Sequence, residues 1–344
     1  MNKEIIIQEQ GQNVYNYLSA YLNIEKNNLE VVKTTNSFNI KKIPDKKNGI
    51  INLNKINDIK GINKFCKAVN DKLAEGGVFI GCVETKVERR KRLFRKYPIV
   101  IAQIYYLFDF IFKRVFSKLW MTKWFYFFVT AGRNQVLSKA EALGRLAFCG
   151  FEIVDEKEID NINYFVVKKV RTIESAPEPR FSILFKMTRI GKYGKPITVY
   201  KIRTMHPYAE YLQEYIYELN ELQKGGKFKN DFRVTSWGRI LRKLWIDELP
   251  MFINVFKGQI KFVGVRPLSS HYLSLYSKEL IEKRKQVRPG LVPPYYADMP
   301  DTLEEIMESE MRYIKAYKAH PFTTDIKYFF KASTNILINR ARSN

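Results

Sequence analysis

The chain is poor in cysteine, short of acidic residues against its basic ones, and without a long charge-free apolar run. Its three cysteines, Cys66, Cys82 and Cys149, lie far apart with no accompanying histidine cluster. Neither a disulfide framework nor a zinc site follows, and a reducing, cytoplasmic setting is expected. The first 17 residues lack the basic start and long apolar core of a signal peptide, so export is not expected. Between Tyr97 and Ala131 aromatics dominate, but Asp109, Lys113, Arg114, Lys118 and Lys123 interrupt every apolar run. None reaches the roughly 20 residues that cross a bilayer. The acidic deficit, 35 Asp and Glu against 59 Lys and Arg, gives a formal charge of +24 over 344 residues. Such an excess points to anionic partners: nucleic acid, phosphorylated substrates or an acidic membrane surface.

A hydrophobic fraction of 46% is enough for real cores, and the length favours two domains. Directly before the aromatic stretch stands a cationic cluster, Glu88 to Lys96. Cations beside an aromatic, apolar segment are the composition of a membrane-interfacial element. A buried helical pair with one solvated basic face is the other reading; Trp120, Trp124, Tyr126 and the interleaved lysines favour headgroup depth.

Helix and strand signals alternate from about Leu53 to Val170. Ile62 to Leu73 carries apolar residues at helical spacing, and Gly76 to Val83 is a short apolar run opened by paired glycines. Ser138 with Glu141 has capping-box spacing, Gly150 stops that helix, and short strands follow near Phe151–Val154 and Tyr164–Lys168. This layout resembles the C-terminal half of a class I methyltransferase. The glycine-rich loop that holds S-adenosylmethionine in that family has no counterpart in the first 60 residues, so a degenerate scaffold is expected rather than an active methyltransferase. The expected organisation is α/β throughout. An N-terminal segment spans 1–52, an incomplete methyltransferase-like region 53–172 with a membrane-interfacial helical insertion at 88–131, and a compact α/β domain 181–344. Ser175, Pro177 and Pro179 mark the boundary.

The second module opens with Phe181 to Met205, where Gly191 and Gly194 sit between apolar runs. A hairpin is the simplest reading, with Arg189, Lys192, Lys195, Lys201 and Arg203 around it. Glycine turns flanked by cations can bind phosphate, although most glycine hairpins bind nothing. Further on, Asp247 and Glu248 stand side by side in a basic and apolar segment. Adjacent carboxylates repel unless a cation, metal or proton relieves them, which makes this pair a candidate site.

Three ordered segments carry a second resemblance. Arg189-Ile-Gly191-x-x-Gly194 leads to Tyr200-Lys201-Ile202-Arg203-Thr204-Met205; Thr235-x-x-Gly238-x-x-Leu241-Arg242 precedes Ile246-Asp247-Glu248-Leu249-Pro250; and Asn254-Val-x-Lys257-Gly258 precedes Val263-Gly264-x-Arg266-Pro267. Over about Phe181 to Leu337 this resembles the bacterial sugar transferases, polyprenyl-phosphate phosphoglycosyl transferases. The resemblance implies transfer of a sugar phosphate from a nucleotide sugar, such as a UDP-sugar, to a membrane polyprenyl phosphate at the cytoplasmic face of the inner membrane. It implies Asp247 as nucleophile, Glu248 as a magnesium (Mg2+) ligand, and Arg189, Lys201, Arg203, Arg242 and Arg266 as candidates for holding phosphates. Arginine forks suit phosphate oxygens, though each cation could instead form a structural salt bridge. Pro250 is expected to end or kink the helix bearing the pair. Glu310, Tyr313, Tyr317 and Asp325 resemble the family's late acidic and tyrosine positions, and Tyr328 to Phe330 fit either a last core helix or a bilayer contact.

Departures are also present. Met251 replaces the usual glutamine, Ile202 the usual phenylalanine, and the loop Arg288 to Asp298 lacks the family's glycine-threonine run, so donor identity does not carry over. The membrane segment also lies unusually far upstream. The competing class is a basic membrane or nucleic-acid-binding scaffold, in which cations spread along an open face and no acidic pair is needed; the ordered motifs favour the enzyme, with no nucleic-acid partner.

Overall fold

In the computed structural model, the short apolar run Val78–Val83 lies on the central strand of a five-stranded sheet. The structure describes residues 2–24, 28–44, 46–117, 120–173, 178–179, 181–219, 222–223, 227–228 and 231–337. Two compact units divide the chain: Met1–Pro179 with His206–Tyr215, and Arg180–Met205 with Ile216–Asn344.

In the first unit β1 (Leu29–Val32), β2 (Lys47–Lys55) and β3 (Leu73–Val83) are parallel, and β4 (Phe151–Ile159) and β5 (Ile162–Lys169) form a hairpin. The order is β1-β2-β3-β5-β4, with β5 antiparallel to β3. Five successive residues of β2, Gly49's neighbours Ile50 to Leu53 among them, are buried, as in parallel strands covered on both faces. The helix Ile62–Lys72 makes the β2 to β3 crossover and buries Phe65, Cys66, Ala68 and Val69. The hairpin turn is Asp160-Asn161, both at positive φ, the geometry two-residue hairpins favour.

Ser138 caps the helix Lys139–Phe148 by accepting the Glu141 amide at 3.1 Å, as its spacing predicts. The Glu141 carboxylate, however, is buried and paired with Arg114 and Arg145. Gly150, at φ 87°, follows the helix as expected; a Cβ there would meet the Arg171 carbonyl oxygen at 2.4 Å.

Between β3 and that helix lie Lys86–Lys96, Ile99–Phe110 continuing through a π-helical turn at Ile111–Val115, and Trp120–Thr130. Among the described residues no helix is long and apolar enough to cross a membrane. Trp124 is exposed, as headgroup depth requires, but Tyr126 is fully buried and donates its hydroxyl to the Arg133 carbonyl at 3.1 Å. Tyr126 is therefore a core residue, because its phenol finds an internal acceptor. Lys118, and the side chains of Trp120 and Lys123, lie outside the described residues, as do Ser175 and Pro177.

The second unit has the expected hairpin, β6 (Leu184–Ile190) against β7 (Pro196–Ile202). Its other described ladders are also two-stranded: β8 (Leu222–Gln223) with β9 (Lys227–Phe228), and β10 (Lys261–Val263) parallel to β11 (Gly290–Val292). Helices Leu303–Ala319 and Pro321–Leu337 complete its core, where Val263, Val265, Leu280, Tyr313 and Ile314 pack together. Tyr328 and Phe329 pack against that cluster, so the last helix belongs to the core; Phe330 points outward.

Candidate active site

The acidic pair does not sit on a continuing helix. The helix Ser236–Lys243 ends at Leu244, and Trp245 adopts the left-handed conformation (φ 61°), turning the chain into a 3-10 turn, Ile246–Met251, that holds Asp247, Glu248 and Pro250. The break thus precedes the pair, and Pro250 lies within the turn rather than ending a helix. A non-glycine residue in that region is strained, a cost that functional sites commonly carry.

Local motifs fix this turn against the hairpin. Thr235 caps the helix through Gly238 N–H (2.9 Å) while its hydroxyl donates to the Thr204 carbonyl (2.9 Å). A Cβ on Gly238 would lie 2.2 Å from that carbonyl oxygen, so the spacing of threonine and glycine records a close backbone approach. Asn254, fully buried, accepts from Tyr200 N–H (3.2 Å) and donates to the Thr198 carbonyl (2.6 Å), fastening the helix Phe252–Phe256 to β7.

Asp247 and Glu248 are only 6% and 7% exposed. Lys201, on β7, donates to Glu248 Oε1 at 2.5 Å. Asp247 Oδ1 is buried without a hydrogen-bond partner, an expensive condition for a carboxylate. Burial raises the Asp247 pKa above the ordinary aspartate value; Glu248 adds to the rise, and the Lys201 and Arg242 charges oppose it. Burial also lowers the pKa of Lys201, against the pull of Glu248. Arg242 donates Nε to Thr204 Oγ1 at 2.9 Å, and Asp247 is the carboxylate that most supports its charge.

A small open cleft lies beside Glu248, with Arg189, Lys201, Arg266, Tyr295 and Tyr296 also among its walls; Asp247, the next residue, is not one of its lining residues. The Arg189 pKa is lowered by burial and by the like charge of Arg266. Arg266 donates to the Tyr295 hydroxyl at 2.6 Å, and Tyr295 is the largest cause of its raised pKa. Close approach of Gly264 and Gly290 across β10 and β11 brings these chains together: a Cβ on Gly290 would lie 2.1 Å from the Gly264 nitrogen. Of the five expected phosphate ligands, Arg203 and Arg242 do not line the cleft. Arg203 turns away: its Nε donates to the Ser182 carbonyl at 3.1 Å, and its guanidinium lies over the Phe181 and Phe185 rings.

Tyr295, Tyr296, Thr204 and Asn254 are the participants that the sequence did not assign. The Pro-Pro-Tyr-Tyr run in the divergent loop was their signal for the tyrosines; the other two stood inside quoted motifs without a role. The late positions are structural. Tyr313 OH lies 2.6 Å from Asp325 Oδ1 and 3.1 Å from the Val263 carbonyl, Lys261 bonds both Asp325 oxygens, and Glu310 pairs with Arg284.

Among the described residues no group of three or more His, Cys, Asp or Glu could hold a metal. The donors for a cation at this site are Asp247, with its unpartnered oxygen, and Glu248, which Lys201 already engages. Such a set fits magnesium that completes its shell with diphosphate oxygens and water.

The profile of the bacterial sugar transferase family matches residues 165–339, just over half the chain. The chain belongs to that family. Over 109 residues it is 40% identical to an uncharacterized sugar transferase, EpsL, of Bacillus subtilis, covering 32% of this chain and 48% of that protein. It is 33% identical over 165 residues to the UDP-N-acetylgalactosamine-undecaprenyl-phosphate N-acetylgalactosaminephosphotransferase of Aeromonas hydrophila, covering 45% and 35%. Identity is also 33% over 177 residues to the UDP-glucose:undecaprenyl-phosphate glucose-1-phosphate transferase of Escherichia coli, covering 48% and 34%. The chain thus spans about half or less of the length of these relatives. Most of the first unit lies outside the family match, and its likeness to a methyltransferase rests on the sequence pattern alone.

Proposed function

We propose that this sugar transferase is a membrane-associated phosphoglycosyl transferase at the cytoplasmic face of the inner membrane, moving a sugar phosphate from a UDP-sugar to polyprenyl phosphate and so initiating a polysaccharide. The observation that carries the reading is Asp247, a buried carboxylate with an unpartnered oxygen, flanked by Lys201 and Arg242 beside a cleft that holds two mutually repelling arginines. Cations pressed together in a cleft favour a polyanion, and a diphosphate relieves the repulsion between Arg189 and Arg266.

In the first step an Asp247 oxygen bonds to the sugar-bearing phosphorus as the bond from that phosphorus to the bridging oxygen breaks. The electron pair leaves with uridine monophosphate, and the phosphosugar stays on Asp247. In the second step an oxygen of polyprenyl phosphate attacks the same phosphorus, forming a diphosphate and restoring the carboxylate. Burial that raises the Asp247 pKa strengthens it as a nucleophile once ionised, and the Lys201 and Arg242 charges favour that ionisation. Lys201 holds Glu248 in place, and Arg189 and Arg266 orient the diphosphate. Glu248 and Asp247 would hold magnesium, which would supply charge neutralisation on the diphosphate.

The test is nucleotide release from a panel of UDP-sugars in membranes containing polyprenyl phosphate. Asp247→Asn is expected to lower turnover by about 10³-fold or more, as loss of a covalent nucleophile does. Incubation with donor alone should add a phosphosugar mass to Asp247. Full magnesium-dependent turnover by the variant would refute the assignment.

A further inference from the structure

Two of the departures from the family's pattern meet in one place. Met251, which stands where the family usually has glutamine, and Leu291, Pro293, Tyr295 and Tyr296 of the divergent loop all line the cleft. Met251 is only 3% exposed and packs with Val199 and Leu291 in one apolar cluster, with Met187 against it. All four are lining residues, so one wall of the cleft is the edge of an apolar core. An unbranched thioether in such a wall adapts its shape to what rests on it.

The charged side chains around that wall already have partners. Lys201 donates to Glu248 at 2.5 Å, Arg266 to the Tyr295 hydroxyl at 2.6 Å, and Arg189 Nη1 to the Thr188 carbonyl at 2.9 Å. Among the described residues lining the cleft there is no Asn, Gln, Ser, Thr, His or Asp, which leaves the two phenols as its neutral hydrogen-bonding side chains. A phenol both donates and accepts. The sugar is bonded to the diphosphate, so a cleft that receives one must receive the other. Each sugar hydroxyl that leaves water there needs a partner, and one that finds none counts against binding.

We infer that this cleft is the donor-sugar subsite and that it selects a hexose bearing acetamido groups in place of hydroxyls, with Met251 as a specificity-determining residue. The acetamido methyl rests on the wall of Met187, Val199, Met251 and Leu291, and the amide N–H and carbonyl meet the phenols of Tyr295 and Tyr296. A hydroxyl in the same position gains neither contact. This choice of sugar rests on the transferase reading, which leaves the donor open. An apolar wall disfavours an added hydroxyl by about 10- to 10²-fold, so the preference is a ratio and not an exclusion.

The experiment gives the full chain UDP-N-acetylglucosamine against UDP-glucose, and UDP-N-acetylgalactosamine against UDP-galactose, with magnesium present. Release of uridine monophosphate in membranes containing polyprenyl phosphate yields kcat/KM, and calorimetry yields the affinity of each donor. In at least one pair the acetamido sugar should exceed its counterpart by about tenfold or more in both quantities. Met251→Gln supplies an amide that can pair a hydroxyl and should bring that ratio to within about threefold, with a melting curve to show that the variant is folded. Met251→Leu, apolar and of similar size, should keep the preference whatever its overall rate. If Met251→Gln does not fold, the ratio of the parent and that of Met251→Leu decide. Equal or better use of the hydroxyl sugar in both pairs overturns the inference, and so does a folded Met251→Gln that weakens all donors alike with the ratio unchanged. Absent turnover with the acetamido donors still bound preferentially would defeat the transferase reading and support the subsite; failure to bind any of the four donors overturns both.

Discussion

Asp247 is costly to the protein that holds it. Its folded pKa is raised, so ionisation opposes folding: the cost is absent below the unfolded carboxyl pKa, grows as pH rises toward the folded value, and persists at neutral pH. Asp247→Asn should therefore be inactive yet melt at a higher temperature than the parent at pH 7, the difference shrinking as pH falls into the ordinary aspartate range. Thermal denaturation across pH measures this, and an unchanged or lower melting temperature at pH 7 would sink the idea. The residue was legible in the sequence because two adjacent carboxylates in a cationic segment demand relief. Its left-handed neighbour Trp245 was not, since nothing local marks a tryptophan for positive φ. Arg203 shows the reverse error: a motif arginine, chemically suited to phosphate, that stacks on Phe181 and Phe185 instead.

Among the elements, the two glycines that bring β10 to β11 are the sharpest test of how the cleft is built. Gly290→Ala drives a Cβ into backbone at 2.1 Å and should destabilise the second unit by about 3 kcal/mol or more. Gly258→Ala meets nothing within 4 Å, so only its positive φ of 65° counts, roughly 1 kcal/mol. Urea unfolding separates the two, and similar losses would show that close approach is not what Gly290 serves. In the first unit, Asp109→Asn leaves Arg89 buried without its bidentate partner and should cost about 3 to 5 kcal/mol. Burial raises the Asp109 pKa, but Arg89 and Lys113 outweigh it and hold it low. The stability it gives is thus present above the unfolded carboxyl pKa and lost as pH falls through the folded one, so the variant and parent should converge in acid. Helix caps such as Ser138 were readable in sequence because capping is local, whereas the diversion of Glu141 to Arg114 and Arg145 depends on packing.

For the whole molecule, a charge of +24 predicts weak association with polyanions. That association should be non-specific: duplex DNA should be released as salt rises from about 50 to 200 mM. Turnover with a UDP-sugar should be unaffected by DNA at the higher salt. Sequence-specific, salt-resistant DNA binding together with absent turnover would instead favour a basic scaffold.

Sequence alone determined the family and the acidic pair, because these rest on residue identity and short spacings that survive in one dimension. Tertiary structure alone decided which cations reach the cleft, where the chain breaks before Asp247, and which way Asp109, Lys113 and Arg114 face. The reason is physical: a charge's direction is set by partners such as Arg89 and Glu141, 20 to 27 residues away, and only packing brings those partners within hydrogen-bonding reach.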